Sequence, residues 1–138
     1  MDTKKLTLAD ARAWTWPILL MATIFMLSGA TRIATPDLGF QFPKDKLAHF
    51  LVFGLLATSI LRIPLFRKLG GKGVVLAAII TILYGGLDEW RQSFTLGRSV
   101  ELADWIADTL GAIVAVTVYQ MYPPYRRILE WRTFVRKK

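Results

Sequence analysis

Four runs of hydrophobic residues divide this chain, and none alternates with polar residues as a half-buried strand would. The runs cover residues 14–30, 47–61, 73–87 and roughly 102–122. A helix needs about 20 residues to cross a hydrocarbon core of roughly 30 Å. The pattern therefore predicts an all-α protein, a four-helix transmembrane bundle. With their polar ends included, the predicted helices span about 14–32, 43–62, 72–92 and 102–122.

The third and fourth runs become full spans only if charged residues are drawn into the membrane. The third must extend through Asp88 and Glu89, and the fourth must include Asp104 and Asp108. A charge at the bilayer centre costs at least about 2.5–3.5 kcal/mol on insertion scales. Such residues usually pair with each other, line a water-filled cavity or take part in chemistry. The ends of these helices are therefore the first place to look for a functional site.

Composition supports one membrane domain over residues 1–138. The chain has 138 residues, 54% of them hydrophobic, with a mean hydropathy of +0.39. It has no cysteine, which excludes disulfides, thiolate metal sites and cysteine nucleophiles. The net charge of +8 comes from basic residues placed between the apolar runs. That placement favours a lipid surface as partner and argues against nucleic acid.

The distribution of basic residues predicts the orientation. Thirteen of the 18 lysines and arginines lie in the N-terminal tail, the second connection and the C-terminal tail. The positive-inside rule places these segments, and therefore both termini, in the cytoplasm. The tail over 125–138 is predicted to be an amphipathic basic helix on the membrane surface. Seven of the ten acidic residues fall on the opposite, outer side.

The first run has an alternative interpretation as a cleavable signal peptide. Lys4, Lys5 and Arg12 would form its basic region, and Ser28-Gly29-Ala30 would supply small residues for cleavage. The 17-residue run is longer than the usual apolar region of roughly 7–15 residues, which favours a retained helix.

The outer polar residues are spaced to share helix faces. Asp45 and His49 are four residues apart, as are Asp88 and Gln92, and Asp104 and Asp108. Asp104 and Asp108 are both carboxylates, so they repel each other unless a positive charge, a proton or a metal lies between them. The predicted ligand-binding residues are Asp45, Lys46, His49, Asp88, Glu89, Gln92, Arg98, Asp104 and Asp108. Candidates for acid–base chemistry are His49, Asp88, Glu89 and Asp108.

Structural roles are the alternative for each of these residues. Carboxylates suit the positive end of a helix dipole, Lys46 suits a snorkelling anchor, and Arg98 suits a lipid phosphate or a pairing with Asp104. An oxygen-rich set with one histidine would suit Mg²⁺ or Mn²⁺ better than structural zinc. No diagnostic metal-ligand spacing is present, so neither a metal nor another cofactor is predicted.

The same residues form three ordered motifs: Asp45-Lys46-x-x-His49-Phe50, Asp88-Glu89-x-x-Gln92-x-Phe94-x-x-Gly97-Arg98 and Asp104-x-x-x-Asp108-x-x-Gly111. Over about residues 32–120 their order and spacing resemble the VanZ-like membrane protein family. Two positions depart from its pattern: Leu96 replaces the usual Pro, and Asp108 replaces the more frequent Asn. The resemblance implies a multi-pass protein of the bacterial cytoplasmic (inner) membrane, in a family whose founding member is associated with teicoplanin resistance.

Three functions remain open at this stage. The first is a protein of the cell envelope that recognises an amphiphile, such as a lipid-linked wall precursor or a lipoglycopeptide, at the outer face. The second is a membrane-embedded hydrolase or transferase acting on a lipid-phosphate, with Arg98 holding the phosphate. The third is a proton-coupled transporter or assembly subunit. The sequence leaves open whether a reaction is catalysed and how many subunits assemble.

Overall fold

The computed structural model describes residues 12–29, 44–95 and 100–129, and every regular element in these ranges is an α-helix. The helices are α1 (Thr15–Ser28), α2 (Lys44–Leu61), α3 (Pro64–Lys68), α4 (Gly71–Gln92), α5 (Leu102–Met121) and α6 (Pro123–Leu129). The all-α prediction is confirmed for the described residues. The four predicted helices correspond to α1, α2, α4 and α5, and the last three agree with prediction to within one residue at each end.

The directions of the helices define two ends of the molecule. Helices α2 and α5 form the most extensive pair and run parallel, since both begin where Lys46 meets Asp104. Helix α4 runs antiparallel to α5, and the Trp105 indole N–H near the start of α5 donates to the Ile82 carbonyl in α4 at 3.0 Å. Helix α1 runs parallel to α4, where the Tyr84 hydroxyl donates to the Met21 carbonyl at 2.6 Å.

One end of the molecule is formed by the first turns of α2 and α5 and by the C-terminal ends of α1 and α4. We call it the polar end. All six carboxylates of the described residues lie at this end, in a helix turn or immediately before one: Asp45, Asp88, Glu89, Glu101, Asp104 and Asp108. The opposite end, which we call the basic end, contains seven of the described lysines and arginines: Arg12, Arg62, Arg67, Lys68, Lys72, Arg126 and Arg127. The charge separation expected from the sequence is therefore present in the folded chain.

A short helix, α3, which the sequence analysis did not predict, makes the turn at the basic end. Ile63 is extended and Pro64 begins the helix, where its missing N–H costs no hydrogen bond. Gly70 has a φ of +54°, which turns the chain into α4. A Cβ atom on Gly73 would lie 1.9 Å from the Phe66 carbonyl oxygen, so only glycine lets α4 pack against this turn.

Large apolar side chains cover the outside of the helices. Helices α4 and α5 are long and apolar enough to cross a membrane, yet only 33% of the most apolar stretch of each is buried. A core helix of a soluble protein would be mostly buried, and large exposed apolar surfaces mark contact with lipid or protein. The fold therefore contains two candidate membrane-spanning helices, of 22 and 20 residues.

Exposed aromatic side chains lie near both ends. Trp14, Trp16 and Tyr122 are 38–63% exposed at the basic end, whereas Trp90 and Trp105 are 60% and 38% exposed at the polar end. Tryptophan and tyrosine are enriched at both membrane–water interfaces because their rings are amphipathic. Two such bands, separated by apolar helix surface, are the arrangement expected of a membrane protein.

Helix α6 forms the beginning of the predicted basic tail. It carries Arg126 and Arg127 and has no fully buried residue, although Tyr125 and Leu129 pack against the core. The rest of that prediction, residues 130–138, lies outside the described residues, as does the predicted extension of the first helix to residue 32.

Candidate functional site

Close packing of α2 on α5 brings polar side chains of both helices together at the polar end. A Cβ atom on Gly111 would lie 2.1 Å from the Phe50 carbonyl oxygen, so the two backbones touch at this level. Small residues allow helices in a membrane protein to approach this closely. Because α2 and α5 are parallel, the side chains of their first two turns face each other and short ones can meet.

Lys46 in the first turn of α2 pairs with two carboxylates at the start of α5. Its Nζ lies 2.5 Å from Glu101 Oε2, and it also donates to Asp104 Oδ1. The Lys46 and Glu101 side chains remain 27% and 35% exposed, whereas that of Asp104 is 6% exposed. Solvent therefore reaches this ion-paired group from the Lys46 and Glu101 side and stops at Asp104.

His49 lies one turn further along α2, between two carboxylates of α5. Its Nδ1 is 2.9 Å from Asp108 Oδ1, a hydrogen bond, and its Nε2 is 3.9 Å from Asp104 Oδ2. The imidazole also stacks on Phe53 within α2, with ring centroids 6.1 Å apart and planes 5° apart. A hydrogen-bond donor thus lies between Asp104 and Asp108, which share one face of α5 as the sequence predicted.

Asp108 is the most deeply buried carboxylate of this group, with 1% of its surface exposed. His49 uses Oδ1, whereas Oδ2 has no hydrogen-bond partner among the described residues. Oδ2 faces Gly85 of α4, where a Cβ atom would lie 2.9 Å from it. Glycine at position 85 therefore makes the space that this carboxylate occupies.

Glu89 connects the end of α4 to the start of α5. Its Oε2 accepts a hydrogen bond of 3.0 Å from the Glu101 backbone N–H. Glu89 is 4% exposed, and its Oε1 has no hydrogen-bond partner within the described ranges. We call the set formed by Lys46, His49, Glu89, Glu101, Asp104 and Asp108 the carboxylate network.

Asp88 belongs to a neighbouring group that ties α1 to α4. Its Oδ1 accepts from the Ser28 hydroxyl at 2.5 Å, and its Oδ2 accepts from Gln92 Nε2 at 3.0 Å. Arg91 Nη2 donates to Ser28 Oγ at 2.5 Å and lies 3.7 Å from Asp88 Oδ1. We call this group the α1–α4 clasp.

Arg91 also contacts Phe25 of α1. Its guanidinium donates to the Phe25 carbonyl oxygen, and its carbon Cζ lies 3.9 Å from the centroid of the Phe25 ring. One arginine therefore combines a charge, two hydrogen bonds and a ring contact at the C-terminal end of α1. Because α1 has few other contacts with α4, the clasp is the main polar attachment between these two helices.

An apolar cleft of about 210 Å³ lies beside the clasp, between α1 and α4. It is lined by Phe25, Tyr84, Leu87, Asp88, Trp90 and Arg91. Leu87 and Trp90 are 55% and 60% exposed, so the cleft faces outward from the helices. Its position next to buried polar groups suits a molecule with both apolar and polar parts.

The structure thus gathers His49, Glu89, Asp104 and Asp108 in one network with Lys46, and it places Asp88 and Gln92 in the adjoining clasp. Asp45 is exposed on the first turn of α2, and Arg98 lies outside the described residues. Whether these residues bind a ligand stays a prediction.

Three residues of these groups were not predicted as site residues: Ser28, Arg91 and Glu101. Arg91 is three residues after Asp88 and Glu101 three before Asp104, so helical spacing could have indicated both. Ser28 carried no such signal, because its partner Asp88 is 60 positions away in the chain.

The site consists mainly of carboxylates, which accept hydrogen bonds from a small number of N–H and O–H donors. Within the described ranges, no group of three or more histidine, aspartate or glutamate side chains is placed to hold a metal ion. The His49–Asp108 pair can hold or pass a proton, and the buried carboxylate oxygens can accept hydrogen bonds from a ligand.

The helical fold, its exposed apolar surface and its two candidate membrane-spanning helices indicate an α-helical membrane protein. The model of the VanZ/LLP1 family matches residues 10–123. The chain belongs to this family, and the resemblance carried by its three polar motifs is confirmed. No curated protein and no solved structure shows significant similarity to the chain.

Proposed function

We propose that this protein is a multi-pass protein of the bacterial inner membrane whose outward-facing polar end binds an amphiphilic or lipid-linked ligand. In this proposal α1, α2, α4 and α5 all cross the membrane as a four-helix bundle. The basic end and both termini face the cytoplasm, in keeping with the positive-inside rule.

The observation that carries the proposal is a pair of buried carboxylate oxygens with no partner among the described residues. Glu89 Oε1 and Asp108 Oδ2 belong to residues that are 4% and 1% exposed. An unsatisfied buried acceptor costs about 1–3 kcal/mol, and ionisable groups in membrane segments usually mark a functional path or site. A ligand that donates hydrogen bonds to these two oxygens would remove that cost.

The cleft between α1 and α4 supports an amphiphile as the ligand. A hydrocarbon chain lying along Phe25, Leu87 and Trp90 would place its polar group beside the clasp, at the end of α4 that also carries Glu89. Membership of the VanZ/LLP1 family supports a link to glycopeptide antibiotics, among which a lipoglycopeptide has the required amphiphilic character. A lipid-linked wall precursor has the same character.

The test is a charge-removing substitution that keeps side-chain shape. Glu89→Gln should abolish the phenotype of the wild-type gene in a deletion strain, with lipoglycopeptide susceptibility measured first, while the protein still inserts and folds. The matched control is Glu130→Gln, the same change in the C-terminal tail, which should behave as wild type. Wild-type function of Glu89→Gln and of Asp88→Asn, at equal membrane abundance, would count against the proposal.

A second candidate is a membrane-embedded hydrolase or transferase acting on a lipid-phosphate. The hydrogen bond between His49 and Asp108 favours it, because a carboxylate that orients an imidazole is a common arrangement for acid–base catalysis. Turnover of a lipid-phosphate by the purified protein, lost in His49→Gln, would support this candidate. Binding without turnover would leave the first.

A further inference from the structure

We infer that the ligand group received by the carboxylate network is a primary ammonium, the headgroup of a cationic or zwitterionic amphiphile. The inference rests on the proposed function and deepens it by naming the chemistry of the ligand. It follows from which atoms of the described network are donors, which are acceptors and which acceptors are still without a partner.

The network contains more acceptors than donors. Glu89, Glu101, Asp104 and Asp108 contribute four carboxylates, against the Lys46 ammonium and the His49 imidazole. A carboxylate accepts hydrogen bonds and donates none. The remaining acceptors, Glu89 Oε1 and Asp108 Oδ2, would both be satisfied by a partner that donates.

These two oxygens belong to the same interface between α4 and α5. Asp108 Oδ2 faces Gly85, and Glu89 is one helical turn beyond Gly85 on the same face of α4. A positively charged donor placed between them would reduce the repulsion between the two carboxylates and satisfy both acceptors.

Lys46 already provides an example of this recognition within the chain. Its ammonium binds Glu101 and Asp104 at once, using two of its three N–H donors. A ligand ammonium has the same charge and the same three donors, so the unpartnered oxygens of Glu89, beside Glu101, and of Asp108, one turn beyond Asp104, offer it equivalent chemistry. The partly exposed Lys46 and Glu101 side chains mark the side from which it would enter.

A phosphate group does not match these atoms. Next to Glu89 and Asp108 a phosphate would be repelled by the two carboxylates, and contacts between like charges disfavour binding. The nearby Arg91 belongs to the clasp, where its Nη2 donates to Ser28 Oγ and to the Phe25 carbonyl; its Nε has no hydrogen-bond partner among the described residues, but it lies outside the carboxylate network. Among the described residues, the site thus selects for a donor cation.

The experiment compares three phospholipids with identical dioleoyl chains. Phosphatidylethanolamine has an ammonium with N–H donors, phosphatidylcholine has the same charge without those donors, and phosphatidylglycerol has neither. The full chain, purified in a mild neutral detergent, is titrated with each lipid, and the bound fraction is measured by native mass spectrometry. Loss of hydrogen bonds to a charged group predicts that phosphatidylethanolamine binds roughly tenfold or more tightly than phosphatidylcholine.

Variants link this selectivity to the network. Glu89→Gln should bring the affinity for phosphatidylethanolamine down to that for phosphatidylcholine, whereas Glu130→Gln should retain the wild-type preference. Should Glu89→Gln unfold, Asp108→Asn provides the second test, with folding followed by thermal denaturation in the same detergent.

The outcomes separate this inference from the proposed function. If phosphatidylcholine or phosphatidylglycerol binds as tightly as phosphatidylethanolamine, the ammonium inference is overturned while amphiphile binding stands. If selectivity for phosphatidylethanolamine persists in both folded variants, the network is not where the ammonium binds. If none of the lipids, a lipid-linked wall precursor or a lipoglycopeptide binds, the proposed function itself fails.

Discussion

His49 Nδ1 and Asp108 Oδ1 lie 2.9 Å apart across the contact between α2 and α5. The histidine side chain is 15% exposed and the aspartate side chain 1%, so water competes little for either partner. This hydrogen bond is the deepest polar link between the two helices in the carboxylate network. Its contribution to stability can therefore be separated from that of the apolar packing around it.

His49→Ala should lower the free energy of unfolding by about 1–3 kcal/mol, because Asp108 would then be buried with neither oxygen hydrogen-bonded. Equilibrium unfolding in mixed detergent micelles measures the change. In an Asp108→Ala background the same substitution should cost less, since its partner is already gone. Equal costs in both backgrounds would show that the two side chains are not energetically coupled.

Gly111→Ala should destabilise the protein by about 1–3 kcal/mol, the usual cost of overpacking. The added Cβ would lie 2.1 Å from a backbone oxygen of α2, which cannot rotate away as a side chain can. Gly86→Ala is the matched control, because its Cβ would approach nothing closer than 3.4 Å, on the Trp105 indole. Thermal unfolding should separate the two variants; similar melting temperatures would contradict the close approach of α2 and α5.

Arg91→Lys should loosen α1, because a lysine keeps the charge but loses the planar group that reaches both Ser28 and Phe25. The chain has no cysteine, so single-cysteine variants report local exposure cleanly. In detergent, a cysteine replacing Ile24, which is 6% exposed, should react several-fold faster with a small thiol reagent when Arg91→Lys is present.

A cysteine at Met26, which is 74% exposed, is the control and should react at the same rate in both backgrounds. If the cysteine at position 24 also reacts equally fast in both, the clasp does not hold α1 in place.

Cysteine labelling also tests the orientation. In spheroplasts, a membrane-impermeant maleimide should label Ser93→Cys, which is exposed at the polar end. Gly71→Cys at the basic end should react only after permeabilisation, and its Cβ would have no neighbour within 4 Å, so the change should not disturb the fold. The reverse pattern would turn the polar end toward the cytoplasm and remove the basis for an outward-facing site.

Sequence spacing predicted the helices well because it depends on local physics. The starts of α2 and α5 and the end of α4 follow from apolar runs bounded by charges, which can be found without knowing any tertiary contact. Helix α3 was missed because its five residues are too few to show a helical period. It exists because Pro64 starts a turn and Phe66, 8% exposed, packs into the core.

Helical spacing predicted which polar residues share a helix face, and it was less specific about partners that lie on different helices. Asp104 and Asp108 lie on one face of α5, and a histidine donor lies between them. The sequence grouped Asp88 with them because it is adjacent to Glu89. In the helix, neighbouring residues point about 100° apart, so Asp88 faces α1 while Glu89 faces α5.

The sequence by itself determined that the chain is helical, apolar enough to enter a membrane, and divided into an acidic and a basic end. These properties follow from composition and from 3.6-residue periodicity, which are local. Only the tertiary structure decided which donor meets which carboxylate. That choice depends on how closely α2 approaches α5 at Gly111 and on how α1 is clasped to α4, distances set by packing between residues far apart in the chain.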